Sequence, residues 1–183
     1  MELDSLYQQV ILDHYKRPKN KELKPNPTVQ VHHVNTSCGD EITLNLKLSE
    51  DFVESVTWVG VGCSISQAST SVMSELLTGK NTSDALELVD EFQRMLQSKG
   101  SDLGDESRLE DGVAFAGVAK FPARVKCALL GWMAFKDAYN RIIKTAQPPK
   151  WKMSEGYDKA RKQDAIRNAL ALGRLSEEKY QKY

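Results

Sequence analysis

The sequence carries few of the features that mark a membrane or nucleic-acid-binding protein. Its 183 residues include no apolar run of the roughly 18 residues that a membrane-spanning helix needs. Residues 1–4 are acidic and no apolar segment follows them, so we expect no secretory signal and a cytoplasmic protein. Basic and acidic residues number 25 each, and this zero net charge gives no electrostatic argument for a nucleic-acid partner.

Cysteine is also scarce, with three residues in the chain. In a reducing compartment thiols stay free or bind metal, and a single disulfide would leave one of the three unpaired. Free cysteine is among the most buried residue types, so three unrelated core cysteines are the alternative that composition leaves open. Position along the chain must decide between these two interpretations.

The hydrophobic pattern predicts an α+β domain. Apolar residues recur at helical spacing over residues 3–14, 65–76, 84–99 and 122–144. Apolar or alternating runs at residues 29–34, 42–48 and 52–61 are typical of strands. This order predicts a small antiparallel sheet of about three strands packed with helices. The polar, acidic stretch 100–112 is predicted to be a flexible connection.

A proline pair near residue 148 predicts a boundary between two regions. Residues 1–147 form the predicted domain, and residues 148–183 form a basic extension with a predicted helix over 158–172. The extension has nine Lys and Arg against five Asp and Glu, so its charge of +4 balances a body of −4. It could dock on an acidic surface, although a solvated helix is the simpler interpretation.

Each cysteine lies where chemistry is a better explanation than packing. Cys38 belongs to the turn-rich segment 35–40 between two predicted strands, and Asp40 is expected to point to the same side. A carboxylate beside a thiolate is an acceptable ligand pair for zinc. Cys63 follows Gly62 at a strand-to-helix turn, where the positive end of the helix dipole favours the thiolate.

Cys127 is expected in the second turn of the helix that begins at Pro122. It starts a stripe of small residues that permits close approach of another element, namely Cys127, Gly131, Ala134 and Ala138. The neighbouring cations Arg124 and Lys126 are expected to stabilise its thiolate. The spacing of the three cysteines is unlike that of a zinc finger, so spacing alone leaves open whether they share one site.

Four segments form an ordered set of motifs: Leu6–Asn20 (LYQQVILDHYKRPKN), Ser37–Asp40 (SCGD), Gly62–Ser66 (GCSIS) and Phe121–Cys127 (FPARVKC). Together they resemble the IscU/SufU/NifU N-terminal family of iron–sulfur cluster assembly proteins, over roughly residues 3–145. The resemblance implies one shared metal site made of Cys38, Asp40, Cys63 and Cys127.

The resemblance is nearer to SufU than to the scaffold IscU. IscU proteins have histidine immediately before the third cysteine, where this chain has Lys126. SufU-type proteins carry an insertion before that cysteine, and residues 98–117 resemble it. The Leu-Pro-Pro-Val-Lys element that docks a chaperone in IscU is replaced by residues 121–126.

The resemblance implies a zinc-dependent sulfur carrier that accepts persulfide sulfur from a SufS-like cysteine desulfurase and passes it to downstream iron–sulfur assembly proteins. Cys38 is the first choice of acceptor because its loop can move without unwinding a helix, and Cys127 is the second. Arg124 is the expected non-ligand contributor. The alternatives are a scaffold on which a transient [2Fe–2S] cluster is assembled, and a structural zinc domain.

The histidines and the serine-rich stretch have simpler explanations. His14 lies on the apolar face of the first predicted helix and is expected to be a core histidine. His32 and His33 point to opposite faces of a strand, so they do not suit one site. The hydroxyl residues of 64–74 are assigned to helix capping and close packing.

Overall fold

The computed structural model describes residues 3–146, and the predicted extension 148–183 with its boundary lies outside them. The elements in chain order are α1 Leu3–Lys16, β1 Val29–Asn35, β2 Asp40–Ser49, β3 Phe52–Val61, α2 Ser64–Leu77, α3 Thr82–Gln97, α4 Glu106–Leu109, a 3-10 helix Glu110–Lys120 and α5 Pro122–Ala146. The predicted α+β class is confirmed. No helix within the described range has the length and apolarity to cross a membrane.

The sheet has the strand order β1-β2-β3, and both pairs are antiparallel. Along the register, Val31 lies opposite Leu44 and Leu44 lies opposite Trp58, and all three side chains are buried. The next row, which contains His32, points to the other face and is more exposed. One face of the sheet therefore packs against the core, as the alternation in the sequence predicted.

The helices cover that buried face, and aromatic rings fill the space between them. Phe92 of α3 stacks on Trp132 of α5 with ring centroids 3.9 Å apart and planes 9° apart. Phe115 meets Phe92 edge-on at 5.9 Å. All three rings are buried, so α3, α5 and the 3-10 helix share one apolar core.

The stretch 100–112 differs from the predicted flexible connection over its second half. After a loop, Asp105 caps the short helix α4, and the chain then continues directly into the 3-10 helix. Leu109 and Phe115 are fully buried, which holds the segment against α3. Burial of a short apolar run in the core, rather than helical periodicity, accounts for its order.

The three histidines make side-chain hydrogen bonds within the fold. His14 is 6% exposed, and its Nδ1 and Nε2 lie 2.8 Å from Ser71 Oγ and 3.0 Å from Asp111 Oδ2. His14 is therefore a satisfied core histidine, as expected. His33 contacts Asp137 of α5 at 2.9 Å, and His32 lies 3.0 Å from Thr43 Oγ1.

The serine-rich helix α2 packs closely against α5. Ser69 Oγ donates to the Ala128 carbonyl at 2.6 Å and accepts from the Trp132 indole at 2.9 Å. At Gly131 the helices are so close that a Cβ atom would lie 2.6 Å from Thr70 Oγ1. The small-residue stripe of α5 therefore does bring another element close, and this contact fixes α5 against the middle of α2.

Gly131→Ala tests this close approach. Alanine is favoured over glycine inside a helix by about 1 kcal/mol, so propensity alone predicts stabilisation. Because the new methyl group overlaps Thr70, we expect a net loss of stability within the overpacking range of about 1–3 kcal/mol. Urea unfolding measures the change, and Thr70→Ala in the same chain should recover part of it. Gly117→Ala, where a Cβ would meet nothing within 4 Å, is the control.

Candidate metal centre

Cys38, Asp40 and Cys127 come together where the β1–β2 turn meets the first turns of α5. Cys63, at the start of α2, lies outside that group of three and contacts Asp40. The ligand atoms of Cys38, Asp40 and Cys127 all lie within 4.8 Å of one another. Cys38 Sγ and Cys127 Sγ are 3.4 Å apart, and Cys63 Sγ lies 3.4 Å from Asp40 Oδ2. We call these four residues the Cys–Asp site.

Asp40 is the first residue of β2 and the most connected member of the site. Its side chain is 2% exposed, and its Oδ1 accepts a hydrogen bond from the Cys63 backbone N–H at 2.9 Å. Burial acts to raise the pKa of this carboxyl, but the bond from the Cys63 backbone and bonds from the three thiols together lower it. Asp40 is thus held as a carboxylate, the form that binds a metal.

Cys63 occupies the position predicted from the sequence, at the N-cap of α2. Its sulfur accepts a hydrogen bond from the Ser66 N–H at 3.4 Å. The chain reaches Cys63 through Gly62, where a Cβ atom would lie 2.7 Å from Asp40 Cγ, 2.7 Å from Asp40 Oδ1 and 2.7 Å from Ser66 Oγ. Glycine is therefore required for the carboxylate to sit against the start of α2.

Cys127 lies in the second turn of α5, as predicted, and its thiol is buried. The side chain is 1% exposed, and its pKa is raised by burial, by hydrogen bonds with Cys38 and Asp40, and by the nearby Cys63. Arg124 and Lys126 are exposed, where solvent and salt screen their charges. Stabilisation of the Cys127 thiolate by these cations stays a prediction.

Arg124 lines a surface groove between α1, the 3-10 helix and the start of α5. The groove is lined by Tyr7, Gln8, Ile11, Ile65, Ala114, Gly117, Val118, Lys120, Phe121 and Arg124. A role of Arg124 in sulfur transfer stays a prediction.

Asn35 belongs to the surroundings of the site and was not singled out from the sequence. Its amide nitrogen lies 3.8 Å from Cys127 Sγ, and its carbonyl accepts the backbone N–H groups of Cys38 at 3.2 Å and Gly39 at 2.8 Å. Asparagine is common in turns because its side chain bonds the backbone two residues on, as it does here with the Ser37 N–H. Its place three residues before Cys38 was the available signal.

The donor atoms suit a thiophilic divalent metal. Zinc is bound in proteins by thiolate sulfur and carboxylate oxygen, usually four donors in tetrahedral arrangement. The Cys–Asp site offers three sulfurs and one carboxylate, and Cys38 is exposed while Cys127 is buried. A metal could be held by Cys38, Asp40 and Cys127. The full four-ligand assignment stays a prediction.

Gly62→Ala tests whether zinc binding depends on the position of the Asp40 carboxylate, because the variant keeps Asp40 but moves its side chain. The added methyl group would displace the carboxylate, so we expect zinc affinity to fall by about 10- to 100-fold although every predicted ligand remains. Competition with a chromophoric chelator measures the affinity, and Gly117→Ala serves as the glycine control. Wild-type affinity in Gly62→Ala would mean that Asp40 does not bind the metal from this position.

Comparison with known proteins identifies the family of the chain. Residues 6–128 match the model of the NifU-like N terminal domain family. The zinc-dependent sulfurtransferase SufU of Bacillus subtilis is 47% identical over 134 residues, which are 73% of this chain and 89% of the relative. The iron–sulfur cluster assembly scaffold protein IscU of Streptococcus pyogenes is 41% identical over 76% of this chain and 86% of its own.

A solved structure gives the same result for the fold. A candidate iron–sulfur cluster assembly scaffold protein for the SUF system from Fervidobacterium islandicum superposes with a TM-score of 0.67 at 35% identity. The match covers 75% of this chain and 98% of that one. The chain is therefore a SufU-type member of the NifU-like N-terminal domain family of iron–sulfur cluster assembly proteins.

Proposed function

We propose that this protein is a zinc-dependent sulfur carrier that accepts persulfide sulfur from a SufS-like cysteine desulfurase. The observation that carries the proposal is the contact between an exposed thiol, Cys38, and a buried thiol, Cys127, whose sulfurs are 3.4 Å apart beside one carboxylate. The Bacillus subtilis relative named as a zinc-dependent sulfurtransferase supports the same activity.

Cys38 is the proposed acceptor because it is accessible and lies on a turn. It is the exposed member of the three cysteines, whereas Cys127 is held within α5 and Cys63 caps α2. A sulfur on the β1–β2 turn can leave the site without breaking helical hydrogen bonds. Cys127 would need a turn of α5 to unwind, which makes it the second choice.

The transfer resembles thiol–disulfide exchange. The Cys38 thiolate attacks the outer sulfur of the desulfurase persulfide, a new S–S bond forms on Cys38, and the bond to the desulfurase cysteine breaks. The electron pair of that bond stays on the desulfurase sulfur, which leaves as a thiolate. One persulfide is consumed and one is formed, so the transfer involves no net oxidation or reduction and needs no further oxidant or reductant.

The surrounding residues hold the thiols ready for this attack. When bound, a zinc ion supplies positive charge that keeps its cysteine ligands deprotonated. Asp40 contributes the fourth donor and is fixed by the Cys63 N–H. Arg124, on the exposed start of α5, is proposed to contact the desulfurase or steer the thiolate.

We propose that the protein acts as an intermediate carrier in sulfur transfer. Sulfur comes from the desulfurase, and downstream iron–sulfur assembly proteins receive it. The compartment is proposed to be the cytoplasm. The alternative is a scaffold that carries a [2Fe–2S] cluster on the same ligands.

Desulfurase turnover tests the proposal. Without added reductant each Cys38 holds one transferred sulfur, so the zinc-loaded protein is supplied in molar excess over a SufS-like desulfurase. We expect it to stimulate the desulfurase, because it removes sulfur from the desulfurase cysteine. Cys38→Ser should abolish this stimulation, since a hydroxyl cannot take up persulfide sulfur. Mass spectrometry of the trapped product should place the additional sulfur on the peptide that contains Cys38.

Ser37→Ala is the matched control because it changes the adjacent exposed side chain of the same turn and keeps the thiol. Full stimulation by Cys38→Ser, with sulfur on Cys127, would move the acceptor role to Cys127. A stable coloured cluster on the purified protein with no stimulation would contradict the carrier and favour the scaffold.

A further inference from the structure

The three sulfurs of the Cys–Asp site differ in the N–H groups that face them. Cys63 Sγ receives the backbone N–H of Ser66 at 3.4 Å, and Cys127 Sγ receives the side-chain amide of Asn35 at 3.8 Å. Within residues 3–146, no N–H donor bonds the sulfur of Cys38, which instead faces the Asn35 carbonyl at 3.9 Å. One residue therefore presents a donor to Cys127 and an acceptor to Cys38.

The orientation of the Asn35 amide follows from the turn. Its Oδ1 accepts the backbone N–H of Ser37 at 3.2 Å, an acceptor role that a side-chain NH2 group cannot fill. The NH2 group must then point the other way, toward Cys127. Asn35 is paired with Asp40 in the β1–β2 ladder, so its backbone position is fixed at the edge of the site.

We propose that Asn35 is a positioning residue that distinguishes the two adjacent thiolates, keeping Cys127 on the metal and leaving Cys38 as the ligand that departs. The inference rests on the proposed zinc site. A hydrogen bond from an amide to a coordinated thiolate stabilises its negative charge and makes the sulfur a weaker nucleophile. Cys38 receives no such hydrogen bond from the described residues, so its thiolate keeps more of its nucleophilicity.

The Ala123 carbonyl is a second neighbour of Cys127, at 3.6 Å. That contact suits the protonated thiol, which can donate to a carbonyl, whereas the contact with the Asn35 amide suits the thiolate. Among the described residues, Asn35 is thus the N–H donor that faces the buried Cys127 sulfur in its metal-binding form. Without this donor, we expect Cys127 to bind the metal more weakly.

Zinc affinity of Asn35→Ser tests the inference. Serine can still accept the Ser37 N–H and support the turn, but its side chain is too short to reach Cys127 and carries no amide. We expect about a tenfold loss of zinc affinity, measured by chelator competition with zinc alone. Affinity equal to that of the wild type would overturn the role of Asn35.

Two backgrounds show which sulfur is involved. In Cys38→Ala protein, Asn35→Ser should cause the same fold-loss of zinc affinity as in wild type, because the bond to Cys127 is still removed. In Cys127→Ala protein, it should cause no further loss. A loss confined to the Cys127→Ala background would show that Asn35 acts through the turn and Cys38, and would overturn the inference.

Cobalt substitution gives a readout that needs neither background. Removing a hydrogen bond from one thiolate raises the energy of its sulfur electrons, so the sulfur-to-cobalt absorption band of Asn35→Ser should move to longer wavelength without losing intensity. An unchanged band would overturn the inference. Wild-type protein that takes up neither metal would instead reject the proposed zinc site, so failure of that proposal is distinguishable from failure of this one.

Discussion

The hydrogen bond from the Cys63 N–H to Asp40 Oδ1 is the contact on which the site depends. It joins the first residue of β2 to the N-cap of α2, so the sheet and the helix layer meet at a buried carboxylate. Gly62 makes this contact sterically permissible, because a side chain there would occupy the space of the carboxylate. The close packing of α2 on α5 at Gly131 then brings Cys127 to the same point.

This arrangement gives three chemically identical side chains three different environments. Cys38 is exposed on a turn, Cys63 caps a helix at intermediate exposure, and Cys127 is buried within a helix. A metal bound by all three would be held firmly from the helix side and reached from the turn side. This difference in exposure among the three cysteines fits a carrier, because one ligand can exchange while the others retain the metal.

Much of the fold followed from local pattern. Alternation in β2 and helical spacing in α3 predicted their buried faces, because one-sided burial requires those periods. Helix α2 is buried at eleven of its fourteen residues, which its apolar spacing did not indicate. The 3-10 helix was missed because a short run of small apolar residues has no distinctive period, and its order comes from burial against Phe92. The raised pKa of Cys127 was missed because burial is a tertiary property that adjacent cations in the sequence do not reveal. Asn35 was missed because its amide reaches a residue far along the chain.

X-ray absorption at the zinc edge of the purified, zinc-loaded protein tests the central claim most directly. A metal bound by Cys38, Asp40, Cys63 and Cys127 predicts three sulfur neighbours at about 2.3 Å and one oxygen neighbour at about 2.0–2.2 Å. Fewer than three sulfur neighbours in protein with all thiols intact would contradict the claim that these cysteines share one metal.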